Sequence, residues 1–259
     1  EDMDAIAYTM GPGLIGSLHV GGIAAKTLAF FYDKPLIGVH HLKGHIFINE
    51  LLQPLKYPLM ALVVSGGHTE LVYIENENSF KIVGTTLDDA VGESYDKVAR
   101  VLGLEYPGGP KIDKLAKEGK KNYTLPKPKV DGLNFSFSGL KNASLQLVNR
   151  IERNGEELNK ADLAYAFQEA ALNCLIDKTI KALEEHSCEM FVIAGGVACN
   201  SRLRELVTEK VKGVEVILPP LKYCTDNATM IGVAAWHYYH NQKFVPLDTA
   251  SKPSMSIED

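Results

Sequence analysis

Between Leu59 and Thr85 the chain passes through three β-rich runs, Leu59–Ser65, Thr69–Glu75 and Phe80–Thr85, split only by Gly66-Gly67 and Asn76-Glu77-Asn78. Connections this short cannot hold a crossover helix, so the three runs are predicted to form an antiparallel meander. Helices follow, over about 89–102 and, after the break Tyr106-Pro107-Gly108-Gly109-Pro110, to Lys117. Residues 119–138 are rich in Pro, Gly, Asn and Lys and read as a loop excursion. Two long helices come next, about 139–152 and 160–186. The chain then alternates: strand Met190–Ala194, helix about 200–211, strand Val214–Leu218, helix about 226–240.

The first part has a different pattern. Asp4–Thr9 reads as a short buried strand, followed at once by Gly11-Pro12-Gly13, a helix from Ile15 to Tyr32, a strand Leu36–Val39 and a helical stretch His41–Leu52. Two strands are too few for a self-standing sheet, so this lobe is expected to be incomplete. Three meander strands, then helices, then strand-helix-strand-helix is the order of one actin-like lobe, and the first residues match the tail end of a second. The expected fold is therefore α/β, with the two-lobe architecture of sugar kinases, heat-shock proteins and actin, its first lobe truncated. Residues 1–57 would be the remnant of the N-terminal lobe. Residues 58–259 would be the C-terminal lobe, with a basic loop and helical excursion at about 105–138.

Several classes are excluded by composition. No apolar run reaches the roughly 18–20 residues of a spanning helix. Glu1-Asp2-Met3-Asp4 has no basic leader region. A formal charge of −5 rules out a uniformly basic nucleic-acid coat, although Lys111, Lys114, Lys117, Lys120, Lys121, Lys127, Lys129 and Lys141 outnumber Asp113, Glu118 and Asp131 in one segment. That segment reads equally as a phosphate-backbone contact or as a solvated loop. The four cysteines, Cys174, Cys188, Cys199 and Cys224, form no Cys-x-x-Cys pair and no disulfide framework, which points to a reducing cytoplasm. Each of Cys199 and Cys224 reads first as a small buried hydrophobe.

The strongest local motif is His40-His41-Leu42-Lys43-Gly44-His45. On a helix, His41 and His45 share a face and can present both imidazoles to one metal ion, while His40 points elsewhere. On spacing alone, a packed or solvated histidine pair remains the better reading. Leu42 stands where a zinc protease motif carries its glutamate base, so hydrolysis by that route is disfavoured. Asp226, at a predicted helix start, is the best third ligand, but by position it reads first as a cap. Ser65-Gly66-Gly67-His68 joins two strands and Gly195-Gly196 follows a third. Glycines at such corners let backbone amides approach phosphate, although a tight hairpin and a helix-entry turn explain them as well. Asn200 could hydrogen-bond a ribose or base. Of the acidic residues Asp88, Asp89, Glu93, Asp96 and Asp113, most read as helix-start or solvated carboxylates. Asp96 and Asp113 are the two that could serve a ligand.

Taken together, GPGLIGSLHVG (11–21), HHLKGH (40–45), SGGHTELV (65–72), DDAVGESYDKVARVLGLEYPGGP (88–110), NFSFSGLKNA (134–143), AGGVACNSRLR (194–204) and CTDNATMIG (224–232) resemble the bacterial TsaD family, also called Gcp or YgjD. The resemblance spans essentially the whole chain, and HHLKGH and SGGHT resemble its bacterial branch. It implies an enzyme that transfers a threonylcarbamoyl group from threonylcarbamoyl-AMP to the N6 amine of the adenosine 3′ of the tRNA anticodon. It implies one divalent metal, iron or zinc, on His41, His45 and Asp226. It implies substrate contacts from Val64, Ser65, Gly66, Gly67, His68, Asp96, Gly109, Asp113 and Asn200, with no catalytic nucleophile beyond the metal site. Implied partners are tRNA, a TsaB-like paralogue and a TsaE-like ATPase, with a homo-oligomer possible within that assembly, and an adenine nucleotide is bound as threonylcarbamoyl-AMP or as ATP or ADP.

Such chemistry suits the residues. A mixed anhydride needs a polarised carbonyl, a stabilised AMP leaving group and an aligned amine rather than a protein nucleophile. Family members begin with a strand and hairpin carrying a motif like GIETSCDE, which precedes the point where this sequence starts. The expectation is that the chain as written is inactive or needs that piece. The competing readings are a small-molecule kinase or ATPase of the same architecture, then a metalloprotease, then a non-enzymatic scaffold.

Overall fold

The computed structural model describes residues 2–259, and the chain enters it through a parallel pair of strands. β1 (Ile6–Gly11) lies against β2 (Leu36–His40), with α1 (Ile15–Phe31) as the crossover. β2 runs directly into α2 (His41–Phe47). The helical stretch expected as far as Leu52 tightens after Phe47 into a 3-10 turn, Ile48–Leu51. Asn49 supplies the reason: its buried amide donates back to the carbonyls of Ile46 (3.0 Å) and His45 (3.4 Å), which competes with the regular ladder.

The remaining elements, in chain order, are β3 (Leu59–Val64), β4 (Thr69–Asn76), β5 (Ser79–Thr85), α3 (Val91–Val101), α4 (Gly108–Ala116), α5 (Ser138–Arg153), α6 (Lys160–Glu185), β6 (Met190–Ala194), α7 (Ser201–Lys210), β7 (Glu215–Ile217), α8 (Leu221–Cys224) and α9 (Ala228–His240). They build a five-stranded sheet of order β5-β4-β3-β6-β7. The meander is antiparallel as expected, and β6 and β7 add in parallel beside β3. Because β3 is central, both of its faces are covered, and this is why it reads as the unbroken apolar run LMALVV. Met60, Leu62 and Val64 enter one core with residues of α3 to α7, whereas Leu59, Ala61 and Val63 enter a second with α2, α9 and β2. That second core joins the two-stranded pair to the five-stranded sheet. Three antiparallel strands followed by β6 and β7 in parallel, with helices between, is the order expected of an actin-like lobe. Among the described residues, no helix is long and apolar enough to cross a membrane.

Two segments are more ordered than their composition suggests. The excursion expected as loop over 119–138 ends in contact with the edge of β5. Phe135 donates to the Thr85 carbonyl and accepts from Leu87 N, both at 2.9 Å, and Leu133, Phe135 and Phe137 are buried. Asp88 closes this junction. Against the cost of its partial burial, the hydroxyls of Ser136 and Ser138 and the amide of Phe137 hold its carboxyl below the usual range. The second segment is the tail after α9, which returns across the first strands. Val245 N donates to Leu36 O at 2.9 Å, Lys252 N to Met10 O at 2.9 Å, and Gly13 N to Pro253 O at 3.1 Å.

α9 is also clasped from its far end. His237 stacks on Phe47 at 4.3 Å between centroids, with Nε2 2.6 Å from Glu50 and Nδ1 3.2 Å from Glu77. Its pKa is raised, first by the hydrogen bond to Glu50 and then by Glu77, against the effect of burial. The stabilisation is therefore complete below the ordinary imidazole pKa and is lost as pH rises through the raised one. Glu77 is lowered, chiefly by the Asn241 amide and, against burial, by His237, so its share is lost only as pH falls through that depressed value. Thermal midpoints measured from about pH 5 to about pH 9 should show a stability advantage over His237→Gln that shrinks on the alkaline side. A pH-independent difference between the two proteins would rule the clasp out.

Candidate metal centre and cleft

The strand-to-helix junction β2–α2 builds the first part of the site. His40 caps α2: its Nδ1 accepts from Leu42 N at 3.2 Å, and Nε2 faces the Met255 carbonyl at 3.4 Å. Burial, followed by the nearby charge of Lys43, lowers its pKa to about 4, so it is a neutral cap directed away from its neighbours, as the spacing predicted. His41 and His45 lie one turn apart, with ring centroids 4.8 Å apart and nearly perpendicular planes.

The third member comes from the other end of the chain. Gly44 sits between the two histidines, and a Cβ there would meet Ile231 and Met230 of α9 at 3.2–3.3 Å. A glycine at this point lets α9 approach α2 closely. α9 is capped by Asn227, whose side chain accepts from Met230 N at 2.9 Å, and the residue just before the cap is Asp226. Its Oδ1 lies 3.3 Å from His41 Nε2 and 3.2 Å from His45 Nε2. Hydrogen bonds from His41 and then His45 hold the Asp226 carboxyl far below the ordinary range.

One nitrogen or oxygen from each of His41, His45 and Asp226 lies within 4.8 Å of the others. Two imidazole N–H groups aimed at one carboxylate oxygen place three ligand atoms about a single point, a donor set suited to zinc or iron. His45 is 2% exposed and its Nδ1 has no partner, so its ring depends on what Nε2 binds. The residues fit a divalent ion.

A cleft of about 760 Å³ opens from this centre. Its walls include His41, Asp226, Ser65, Gly66, Gly67, His68 and Gly196, together with Pro253, Ser254 and Met255 of the returning tail. The two glycine turns meet because β3 and β6 are parallel neighbours that end at the same level, where ligands of such sheets bind. Gly195 has φ +92°, and a Cβ on it would lie 2.4 Å from the Val64 carbonyl. Gly66, Gly67 and Gly196 have open space where a Cβ would be. The amides of Gly67 and His68 turn onto Ser65 Oγ at 3.3 and 3.0 Å. Burial and then the charges of His41 and His45 lower the pKa of His68.

The other expected residues do not line this cleft. Val64 is fully buried behind it. Asp96, Asp113 and Asn200 form a polar cluster at the starts of α4 and α7. Asp96 accepts from Gly108 N at 2.7 Å, beside the half-buried Gly109, and Asp113 accepts from both the amide and the hydroxyl of Ser201 at 3.0 Å. Asn200 caps α7 through Leu203 N (2.8 Å) and donates to Gln168 at 2.9 Å. One 3-10 turn, Gly196–Cys199, links this cluster to the cleft. Sequence reasoning missed the tail residues 253–255. They carry no motif, and long-range contacts, Lys252 N to Met10 O, Gly13 N to Pro253 O and His40 Nε2 facing Met255 O, bring them to the cleft.

A family model described as tRNA N6-adenosine threonylcarbamoyltransferase (TsaD) matches residues 1–233. The protein of that name from Halalkalibacterium halodurans is 48% identical over 262 residues, covering all of this chain and 76% of its own. The one from Streptococcus sanguinis is 49% identical over 260 residues, covering all of this chain and 77% of its own. Among solved structures, HypF of T. kodakarensis superposes with a TM-score of 0.69 at 14% identity, covering 95% of this chain and 42% of HypF. Component A of the Acidaminococcus fermentans (R)-2-hydroxyglutaryl-CoA dehydratase superposes with a TM-score of 0.50 at 16% identity, over 83% of this chain and 73% of that one. At these identities the structural likeness is one of fold.

Proposed function

The chain belongs to the tRNA N6-adenosine threonylcarbamoyltransferase (TsaD) family, and from that membership we propose that it transfers the threonylcarbamoyl group of threonylcarbamoyl-AMP to the N6 amine of the adenosine 3′ of the tRNA anticodon. The observation that carries the reading is the convergence of His41, His45 and Asp226 at the mouth of a glycine-walled cleft. These three residues would hold one divalent ion, iron or zinc. Bound there, the ion supplies a Lewis acid that polarises a carbonyl or offsets phosphate charge.

The chain's own groups do the rest. Gly66, Gly67 and Gly196 leave the cleft wall bare of side chains, so a nucleotide can come up against backbone. Asn200, Asp113, Asp96 and Gly109 form the polar cluster on which an adenosine would rest, with Asp113 and Asn200 fixed in place by the start of α7. Ser65 Oγ accepts from the Gly67 and His68 amides and so fixes this turn as one rigid edge of the cleft. No serine or cysteine nucleophile is needed, since the mixed anhydride is already activated and alignment of the amine is what remains.

We read residues 1–57 as part of a first actin-like lobe and residues 58–259 as the second. The lysine-bearing excursion is the tRNA-facing element of this reading, and a TsaB-like paralogue and a TsaE-like ATPase are its protein partners. The test is incubation with threonylcarbamoyl-AMP, unmodified tRNA and those partners, followed by mass spectrometry of the digested tRNA. Threonylcarbamoyl-adenosine that disappears with a metal-free preparation supports the reading. ATP turnover without that product, unaffected by metal removal, would move the assignment to a kinase or ATPase of the same fold.

A further inference from the structure

Two of the four thiols lie beside each other next to the cleft. Cys199 ends the 3-10 turn after β6, and its Sγ lies 3.5 Å from the Leu221 carbonyl. Cys224 ends α8, with Sγ 3.7 and 3.6 Å from the carbonyls of Pro219 and Pro220. Both sulfurs thus sit as neighbours on one stretch of backbone, 219–221. Arg204 fixes the same stretch, donating to Pro219 O at 2.9 Å and to Ala198 O at 3.2 Å.

Their exposure is unequal. Cys224 is 1% exposed, whereas Cys199 is half-buried and lines a surface depression of about 670 Å³ with Ser201, Arg204 and Leu221. An oxidant can therefore reach Cys199 first and find Cys224 behind it. The neighbouring Cys224 and then the positive charge of Arg204, against the cost of burial, lower the Cys199 thiol from its ordinary range. Burial pushes Cys174 and Cys188 up to about 11. Access favours Cys199 as the first thiol to react.

We propose that Cys199 and Cys224 are a redox-modification site that closes to an intramolecular disulfide under peroxide. The Cys199 thiolate attacks a peroxide oxygen, giving a sulfenic acid and, after protonation, one water. The Cys224 sulfur then attacks the sulfenic sulfur. The S–S bond forms, the S–O bond breaks, and the hydroxyl leaves with the Cys224 proton as a second water. Two thiols are oxidised by two electrons and one peroxide is reduced to two waters.

The consequence follows from position. Cys224 lies two residues before Asp226, and Cys199 immediately precedes Asn200. A covalent S–S bond is shorter than any non-bonded approach of two sulfurs, so closing it draws the end of α8 toward the 3-10 turn and displaces Asp226 from His41 and His45. This second step rests on the metal reading above, while the disulfide itself does not.

The test compares one preparation reduced, treated with hydrogen peroxide, and re-reduced. Oxidised protein should lose the mass of two hydrogens without dimerising. Peptide mapping should link the Cys224 peptide to the peptide holding Cys188 and Cys199, with fragmentation placing the bond at Cys199. Cobalt(II) affinity, read from its absorption spectrum, should fall about 10-fold or more on oxidation and return on reduction. A bond involving Cys174 or Cys188, or no bond, overturns the site. The mapped bond with unchanged cobalt affinity overturns the coupling to Asp226. Absence of cobalt binding in both redox states would sink the metal reading and the coupling with it, and the mapped bond would still decide the site. Cys199→Ser should abolish the link, with its circular dichroism spectrum confirming a folded protein.

Discussion

His45→Ala should lose metal binding altogether, with zinc or cobalt affinity down by at least about 100-fold and threonylcarbamoyl-adenosine formation falling with it. The geometry makes this separable from misfolding. His45 is buried with Nδ1 unpaired, so the alanine variant leaves a cavity but also removes a buried polar atom that costs about 1–3 kcal/mol. The metal-free proteins should therefore differ less in stability than an ordinary buried truncation would cause. The difference should appear on adding zinc, where wild type gains about 2.7 kcal/mol at a hundredfold excess over its dissociation constant and the variant gains nothing. Thermal melts with and without zinc check this. Equal zinc-induced shifts in the two proteins would remove His45 from the centre.

Gly195→Ala should be the most damaging single methyl group near the cleft. The residue sits at φ +92°, and the added Cβ would stand 2.4 Å from a backbone carbonyl, Val64 O, which cannot swing aside as a side-chain tip could. Positive φ and the clash are separate penalties of about 1–3 kcal/mol each, which in a chain of this size lowers the melting midpoint by roughly 5–15 °C. The shift should come with loss of cleft function, because relief of the clash must part the ends of β3 and β6. Gly66→Ala is the control: open space surrounds its Cβ position, so it should fold normally and act on nucleotide binding alone. Urea denaturation of both variants, beside nucleotide titrations, distinguishes them. Equal stability for Gly195→Ala would mean that the corner is far softer than its contacts imply.

Local pattern accounts for much of what could be anticipated. The meander was legible because its connections are too short for anything else, and β3 because a strand covered on both faces has no polar positions. The His41–His45 pair was legible because four residues along a helix bring two side chains to one face. Where a helix ended was harder to read. α2 stops at Phe47 because the Asn49 amide turns back on the last carbonyls, and nothing in the apolar spacing marks that.

Other features depend on partners far away in sequence. Residues 119–138 have the composition of a loop, yet Leu133, Phe135 and Phe137 are core residues because the edge of β5 accepts them. The clasp of His237 by Glu50 and Glu77 joins groups at least 160 positions apart. Asp113, singled out as a ligand contact, holds Ser201 at the start of α7 from 88 positions away, which no spacing rule reveals.

By itself, then, the sequence determined the order of most elements, the antiparallel meander, and the kinds of residue at the strand ends, since these follow from spacing and composition along the chain, whereas the parallel pairing of β3 with β6 joins residues far apart in it. Only the tertiary structure decided which of those residues meet. Asp226 is 181 positions from His45, and as a sequence feature it was a helix cap; Gly44 lets α9 settle close against α2, and that contact makes it the third member of the centre.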